Sequence, residues 1–297
     1  MERMTEPGQG SVRRAGGAVV VTGASTGIGR ATALHLDSLG FEVFAGVRRE
    51  PDGERLASEA EGELTPIILD VTDGDSIEAA ARRVAEAVHG DGLRGLVNNA
   101  GVAQPGPIEV IPIDALREQL EVNVVGQVAV TQAMLPELRR ARGRIVNLSS
   151  IGGLVASPAL GAYSASKFAL EALSDSLRME LAPWGIHVSV IEPGSIRTEL
   201  WRRGLDTADS TLERIPQAQR DLYAGLISSM RKLADRTESR AITPERVAGK
   251  IANALTAARP RTRYLVGADA RIQATLARLL PDRAYDSLVR LMLRSAR

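Results

Sequence analysis

The sequence of 297 residues contains no cysteine and only three histidines, and its charges almost cancel. Without cysteine the protein can form no disulfide, no thiolate metal site and no cysteine nucleophile. The histidines are scattered along the chain without the spacing of metal ligands, so we predict no metal site. A formal net charge of +1 gives no electrostatic indication of nucleic acid or of an acidic partner.

Long apolar runs are also missing. No stretch reaches the length that spans a membrane, and residues 1–17 lack the apolar centre of a secretion signal. We therefore expect a cytoplasmic protein with a disordered tail over residues 1–17 and one domain over residues 18–297.

Short β-branched segments alternate with amphipathic segments from residue 18 to about residue 200. This alternation predicts an α/β protein with a single doubly wound Rossmann-type parallel sheet, flanked by helices on both faces. Six strands fall before residue 200, and a seventh is predicted at 263–267. Residues 199–240 are polar and read as a helical insertion over the substrate, and residues 270–297 as C-terminal helices.

A glycine-rich turn follows the first predicted strand and opens a helix. Its glycines, Gly23, Gly27 and Gly29, have the spacing G-x-x-x-G-x-G rather than G-x-G-x-x-G. Glycines let the backbone approach a pyrophosphate, and the helix N-terminus supplies unpaired N–H groups and a favourable dipole. The turn therefore predicts a dinucleotide site.

Arg48 and Arg49 follow the second predicted strand, where the ribose of a bound dinucleotide is expected. An acidic residue at this place suits NAD, whereas arginine suits a 2′-phosphate. The pair favours NADP(H) as cofactor, with NAD(H) as the alternative.

A tyrosine and a lysine lie four residues apart in a predicted helix, at Tyr163 and Lys167. That spacing places both side chains on one face, where the ammonium should lower the pKa of the phenol and make it usable as an acid or base. Ser150 follows the fifth predicted strand, so its hydroxyl should reach the carboxyl edge of the sheet, where ligands of such folds bind.

With these motifs in this order along the chain, residues 18–200 resemble the short-chain dehydrogenase/reductase family. The matching segments are Thr22–Gly29, Asp70–Val71, Asn98–Gly101, Asn123, Ser150, Tyr163-x-x-x-Lys167 and Pro193-Gly194 with Thr198. The remaining third is similar to retinol- and steroid-dehydrogenase-type members, mainly through RTRYLVGADA and the Leu-Pro-Asp that follows.

The resemblance implies roles for individual residues. Tyr163 would exchange a proton with a substrate hydroxyl or carbonyl, Ser150 would bind the same oxygen, and Lys167 would grip the nicotinamide ribose. Asn123 would anchor a water chain to Lys167. The implied cofactor contacts, besides the catalytic Tyr163 and Lys167, are Gly23, Ser25, Thr26, Gly27, Ile28, Gly29, Arg48, Arg49, Asp70, Val71, Asn98, Ala100, Gly101, Pro193, Gly194, Ile196 and Thr198.

Three functions remain open at this point. The leading one is an oxidoreductase that interconverts an alcohol and a carbonyl on a lipophilic small molecule, in a pocket near Leu154, Val155, Leu200 and Trp201. The others are a dinucleotide-sensing module without turnover and a nucleotide-sugar epimerase or dehydratase. The family resemblance also implies a homodimer or homotetramer.

The C-terminal segment can form an apolar stripe on two helices broken at Pro281, with arginines opposite. Packing over the substrate pocket, a subunit contact and attachment to an anionic membrane surface are the readings, with membrane attachment ranked last.

Overall fold

A computed structural model describes residues 16–201, 203–204, 206–207, 215–238 and 241–295. The predicted tail therefore lies outside the described residues except for its last two, and so does part of the predicted insertion at 199–240.

Seven strands form one parallel sheet in the described residues, with the order β3-β2-β1-β4-β5-β6-β7. The strands are Ala18–Val21 (β1), Glu42–Val47 (β2), Leu64–Ile68 (β3), Leu93–Asn98 (β4), Arg144–Leu148 (β5), His187–Pro193 (β6) and Arg263–Val266 (β7). The predicted doubly wound sheet is confirmed.

Helices cover both faces of the sheet. They are Gly27–Ser38 (α1), Glu50–Ala57 (α2), Gly74–Ala87 (α3), Ile113–Leu120 (α4), Gly126–Ala141 (α5), Gly161–Leu181 (α6), Gln217–Glu238 (α7), Pro244–Thr256 (α8), Ala268–Leu279 (α9) and Asp282–Ser295 (α10). A π-helical turn, Glu121–Val125, joins α4 to α5, and α5 runs on to Ala141.

The alternation of side chains along β1 explains why two helical layers are needed. Val19 and Val21 point into one core, which includes Leu36 of α1 and Ile251 of α8. Ala18 and Val20 point into the other, which is built from α3, α5 and α6. Because both faces of a parallel strand are buried, the strand reads as an unbroken apolar run rather than as an alternating one.

The topology creates a crevice at the carboxyl edge between β1 and β4. From β1 the chain winds outward to β2 and β3, then crosses back to β4 on the other side. Ligands of open α/β sheets bind where the strand order reverses in this way. The glycine turn after β1 and the Asn98–Gly101 segment after β4 both lie at this point.

The two C-terminal helices pack on their own chain. Helix α9 contacts β7 and the short turn Ile151–Gly153, which follows Ser150. Helix α10 contacts α7 and α9, and none of its side chains is fully buried.

Candidate active site

The glycine turn after β1 is shaped to receive an anion. Gly23 and Gly27 have φ angles of +63° and +56°, a region that side chains other than glycine rarely adopt. A Cβ atom on Gly29 would overlap the carbonyl oxygen of Gly23. Thr26 caps α1 without a side-chain hydrogen bond, so the amides of the first turn keep their capacity to bind a ligand. Ser25 and Ile28 are half-buried in the same turn, and these features fit the predicted pyrophosphate.

Asn99, which belongs to the predicted Asn98–Gly101 segment, holds this turn in place. Its Nδ2 donates to the carbonyl oxygens of Thr22 at 2.8 Å and Gly23 at 3.0 Å. The backbone N–H groups of Asn99 and Ala100 each donate to Thr22 Oγ1 at 2.9 Å. The segment after β4 and the phosphate turn therefore form one unit.

Asn98 points the other way. Its Nδ2 donates to Thr131 Oγ1 at 2.8 Å and to Asn147 Oδ1 at 2.9 Å, inside the layer between the sheet and α5. The Asn98 side chain is therefore directed into the protein and not towards the cofactor site. The predicted ribose contact stays a prediction for the backbone of this segment, including Gly101.

The residues predicted near the adenosine end surround the carboxyl ends of β2 and β3. Arg48 is exposed and makes no hydrogen bond or ion pair with the described residues. Arg49 is also exposed, but its Nε is 2.9 Å from Asp52 Oδ2. Asp70 accepts hydrogen bonds from the N–H and hydroxyl of Thr72 at 2.9 and 2.8 Å, which fixes its loop. Val71 is buried.

Ser150, Tyr163 and Lys167 converge at the carboxyl edge of β5. Ser150 follows the strand and caps the turn Ile151–Gly153, with its Oγ accepting a hydrogen bond from Gly152 N at 3.0 Å. Tyr163 and Lys167 lie in the first turns of α6 and are both buried. The Lys167 ammonium is 5.8 Å from the centre of the Tyr163 ring, so the predicted pairing of the two side chains is found.

Burial dominates the acidity of this pair. It raises the pKa of the Tyr163 phenol, and the Ser150 hydroxyl acts in the opposite direction. The net pKa of the Tyr163 phenol is therefore raised in this structure, whereas the spacing to Lys167 predicted that it would be lowered. The ammonium donates to the Leu148 carbonyl oxygen at 2.7 Å instead of to the phenol. Burial also lowers the pKa of Lys167 to about 8, against the attraction of the Glu171 carboxylate.

Asn123 sits in the π-helical turn and is fully buried. Its Oδ1 accepts from Val102 N at 2.9 Å, and its Nδ2 donates to Val102 O and to Ser166 Oγ, each at 3.0 Å. Ser166 Oγ in turn donates to the backbone oxygen of Tyr163 at 2.7 Å. Asn123 thus joins the segment after β4 to the helix that carries Tyr163, while its predicted water chain stays a prediction.

The segment after β6 completes the edge. The side chain of Thr198 lies beside Gly27, close enough for contact with a Cβ placed there. Ile196 is buried and pairs with Ile242. Pro193 is buried, and Gly194 N donates to Val266 O at 2.9 Å. The segment is therefore anchored to β7 at one end and reaches the phosphate turn at the other.

Two buried carboxyl groups behind Lys167 were not predicted. Glu171 lies one helical turn after Lys167, and Glu192 lies at the end of β6. Arg263 of β7 forms ion pairs with both carboxyl groups. Its Nε is 3.1 Å from Glu171 Oε2 and 3.3 Å from Glu192 Oε1. A glutamate inside the apolar run HVSVIEP was the one signal in the sequence that could have pointed to such a cluster.

Trp201 closes the site from the side of the predicted insertion. Its ring meets that of Tyr163 edge to face, with the centres 5.1 Å apart. Leu154 and Leu200 are half-buried and Val155 is buried. The neighbouring residues 202, 205 and 208–214 lie outside the described part of the chain.

Neither a metal-binding cluster nor a membrane-spanning helix is found in the described residues. Over the described ranges, no group of three or more His, Cys, Asp or Glu side chains could hold a metal ion. In the same part of the chain, no helix is both long and apolar enough to cross a membrane.

An anion-binding turn next to a buried tyrosine, lysine and serine defines a dinucleotide-dependent oxidoreductase as the class of protein. The comparisons with known proteins agree. The pattern of the short chain dehydrogenase family matches residues 17–208. The chain is 39% identical to mouse retinol dehydrogenase 5 over 279 residues, covering 91% of this chain and 87% of that protein.

Two further similarities extend beyond the family pattern. The chain is 36% identical to an NADPH-dependent 3-dehydrocapnine reductase from Ornithobacterium rhinotracheale, covering 91% of this chain and 94% of that protein. The crystal structure of a short-chain dehydrogenase from Streptomyces avermitilis superposes with a TM-score of 0.76 at 32% identity, covering 96% and 97% of the two chains. The chain belongs to the short chain dehydrogenase family, and the prediction of an NAD(P)-dependent oxidoreductase acting on alcohol or carbonyl groups is confirmed.

Proposed function

We propose that this enzyme interconverts a lipophilic alcohol and its carbonyl compound with Tyr163 as the proton donor and acceptor. The observation that carries the proposal is the convergence of Ser150, Tyr163 and Lys167 at the edge of the sheet that also holds the phosphate turn. The nicotinamide cofactor, when bound, supplies or takes up the hydride.

The side chains divide the proton chemistry among themselves. Because burial raises the pKa of the Tyr163 phenol, the resting group is protonated and carries the proton that a substrate oxygen gaining charge would take up. Ser150 can donate a hydrogen bond to the same oxygen. The Lys167 ammonium, protonated below about pH 8, stabilises the phenolate that Tyr163 becomes.

The glycine turn supports a dinucleotide at this site, because Gly29 leaves no room for a side chain and α1 has no side-chain cap. Gly23, Gly27 and Thr198 would line the pyrophosphate and nicotinamide ends, and Asp70 and Val71 the adenine. Asn123 would hold the water that returns protons to Lys167.

Substituting Tyr163 tests the mechanism. Y163F keeps the ring packed against Trp201 but removes the acidic group, and kcat should fall at least about a hundredfold while dinucleotide still binds. Dinucleotide binding, followed by protein fluorescence, serves as the control for folding. Turnover of Y163F within about threefold of the wild type would refute the role of Tyr163.

The substrate class follows from the apolar wall of the site. Leu154, Val155 and Trp201 offer no charged group to a substrate, which suits a lipophilic molecule. One relative is a retinol dehydrogenase and another is a reductase, which supports both a lipophilic substrate and operation in either direction. Cofactor oxidation measured across steroid, retinoid and fatty-acyl carbonyl compounds would rank them.

Arg48 supports a preference for NADP(H) over NAD(H). It is exposed beside the end of β2 without a partner among the described residues, whereas Arg49 is held by Asp52. A charge-assisted contact with a 2′-phosphate is worth roughly 1.5–3 kcal/mol, or about ten- to a hundredfold in affinity. R48A should lose that preference and R49A should retain most of it. Wild-type protein that binds NAD(H) equally well or more tightly would exclude the assignment.

A homodimer or homotetramer and a cytoplasmic location complete the proposal. Support for an oligomer comes from a groove between α5 and α6, in which the apolar Val128, Leu135, Leu177, Leu181 and Trp184 lie beside the polar Thr131, Gln132, Arg139 and Glu180. Trp184 is about half exposed there. Light scattering on the purified chain should give a multiple of the 31.6 kDa monomer mass, and a monomer would contradict it. Fractionation of cells that produce the chain tests its location.

A further inference from the structure

Asp269, the second residue of α9, reaches across to the segment that follows β6. Its Oδ2 accepts a hydrogen bond from the backbone N–H of Ser195 at 2.7 Å. The two residues are separated by 74 positions in the chain. A hydrogen bond of this length to a charged acceptor belongs to the stronger class found in proteins.

The surroundings of the carboxylate show a fitted contact rather than a chance approach. A Cβ atom on Gly194 would overlap both carboxylate oxygens of Asp269, and one on Gly267 would overlap Oδ1. Gly194 thus lets the backbone lie directly against the carboxylate. Its own N–H donates to Val266 O at 2.9 Å, so two successive amides, those of Gly194 and Ser195, are held from the C-terminal part of the chain.

The segment fixed in this way leads into the predicted cofactor site. Beyond Ser195, the backbone is held by Ile242: Ile242 N donates to Ser195 O, and Arg197 N donates to Ile242 O, each at 3.1 Å. The next residue, Thr198, has its side chain beside Gly27 of the phosphate turn. Any shift at Ser195 is therefore passed along three residues to the turn.

We propose that Asp269 is a positioning residue, whose carboxylate sets the 194–198 segment against the dinucleotide site and so determines how tightly the cofactor binds. The inference rests on the proposed function, because it needs the cofactor to lie at that turn. Asp269 itself would touch neither substrate nor cofactor and would act through Ser195 and Thr198.

The contact also explains why helix α9 is part of the catalytic domain. The helix packs against the turn Ile151–Gly153 directly after Ser150, and through Asp269 it holds the segment after β6. One helix therefore braces two of the loops that meet at the active site.

The test compares D269A, D269N and D282A in the full chain. Asp282 is the matched control, since it also lies in the first turn of a helix, α10, and faces solvent. The dissociation constants of NADP(H) and NAD(H) are measured by fluorescence titration, together with kcat, KM and the melting temperature. All titrations are made well below the melting temperature of each variant.

D269A should weaken cofactor binding about tenfold, in line with the loss of a charge-assisted hydrogen bond. D269N retains an acceptor oxygen and should bind within about threefold of the wild type, and D282A should bind as the wild type does. An unchanged dissociation constant in D269A, a D269N protein as weak as D269A, or equal weakening in D282A would overturn the proposal.

G194A provides a second route to the same answer should D269A not fold. It keeps the carboxylate but places a methyl group where its oxygens lie, and it should weaken cofactor binding in the same direction. Normal binding by G194A would overturn the proposal as well. The proposed function has a separate test. It would be refuted if the wild-type chain bound neither NADP(H) nor NAD(H).

Discussion

Glu192 is a carboxyl group buried at the end of β6, and replacing it with glutamine should remove a pH dependence of stability. Its side chain is 1% exposed. Burial raises the pKa of Glu192 from 4.5 to about 7, repulsion from Glu171 adds to this, and Arg263 acts against it. Oε1 lies 3.3 Å from Arg263 Nε but makes no hydrogen bond, so the ion pair offsets little of the cost of burying the charge.

The sign follows from the two pKa values. Below about pH 4.5 the carboxyl is protonated in both the folded and the unfolded chain, and its effect on stability is most favourable. As the pH rises towards about 7, the unfolded chain releases the proton while the folded chain still holds it, so the free energy of unfolding falls. The difference between 4.5 and about 7 corresponds to about 3 kcal/mol in total, of which roughly 2.5 kcal/mol falls between pH 5 and pH 8.

Urea unfolding of the wild type and E192Q at pH 5 and pH 8, at one protein concentration, measures this effect. Other titrating groups contribute to both proteins and largely cancel in the difference. Relative to the wild type, E192Q should gain about 2 kcal/mol or more on going from pH 5 to pH 8. E86Q removes an exposed carboxylate instead and controls for the change in net charge. A difference between E192Q and the wild type that stays constant within about 1 kcal/mol, or shrinks, would refute the reasoning.

Two further substitutions test the packing of the site. G29A should cost about 1–3 kcal/mol in urea unfolding and weaken dinucleotide binding, because its methyl group overlaps neighbouring backbone, whereas G74A, with open space at the same atom, should cost less than about 1 kcal/mol. W201A should raise KM for a lipophilic substrate about three- to tenfold with little change in KM for the cofactor, because it removes the edge-to-face contact with Tyr163 and part of the apolar wall. Equal losses of unfolding free energy in G29A and G74A would show that the close packing at Gly29 does not matter. Equal changes in the KM values for substrate and cofactor would show the same for the contact of Trp201.

Local features of the chain were predictable because the signal for each lies within a few residues. The run AVVV before a glycine turn and an apolar helix predicts β1, the turn and α1, and all three are found in that order. The pairing of Tyr163 with Lys167 depends on helical spacing alone and is found as well.

The direction of the Asn98 side chain could have been predicted but was missed. Leu96 and Asn98 lie two residues apart in β4 and so share a face of the sheet. Leu96 belongs to the core on the side of α5, and Asn98 follows it inward. Asn99, one residue on, points to the glycine turn instead.

Other features depend on residues that only the fold brings together. The contact between Asp269 and Ser195 joins two segments that are far apart in the chain, and neither RTRYLVGADA nor the segment from Pro193 to Thr198 indicates in the sequence that the two meet. The acidity of Tyr163 was also misjudged, because spacing shows that a lysine is near but gives neither the degree of burial nor the choice of Leu148 O as the partner of the ammonium.

The place of β7 in the sheet has a consequence for the order in which the chain assembles. Because β7 is made last, β6 is an edge strand until residue 263 leaves the ribosome, and its backbone groups on that side have no strand to pair with. Glu192 at the end of β6 then carries an acidic group on an open edge, a feature that discourages pairing with other chains. The strand that covers this edge, β7, also carries Arg263, whose Nε lies 3.3 Å from Glu192 Oε1.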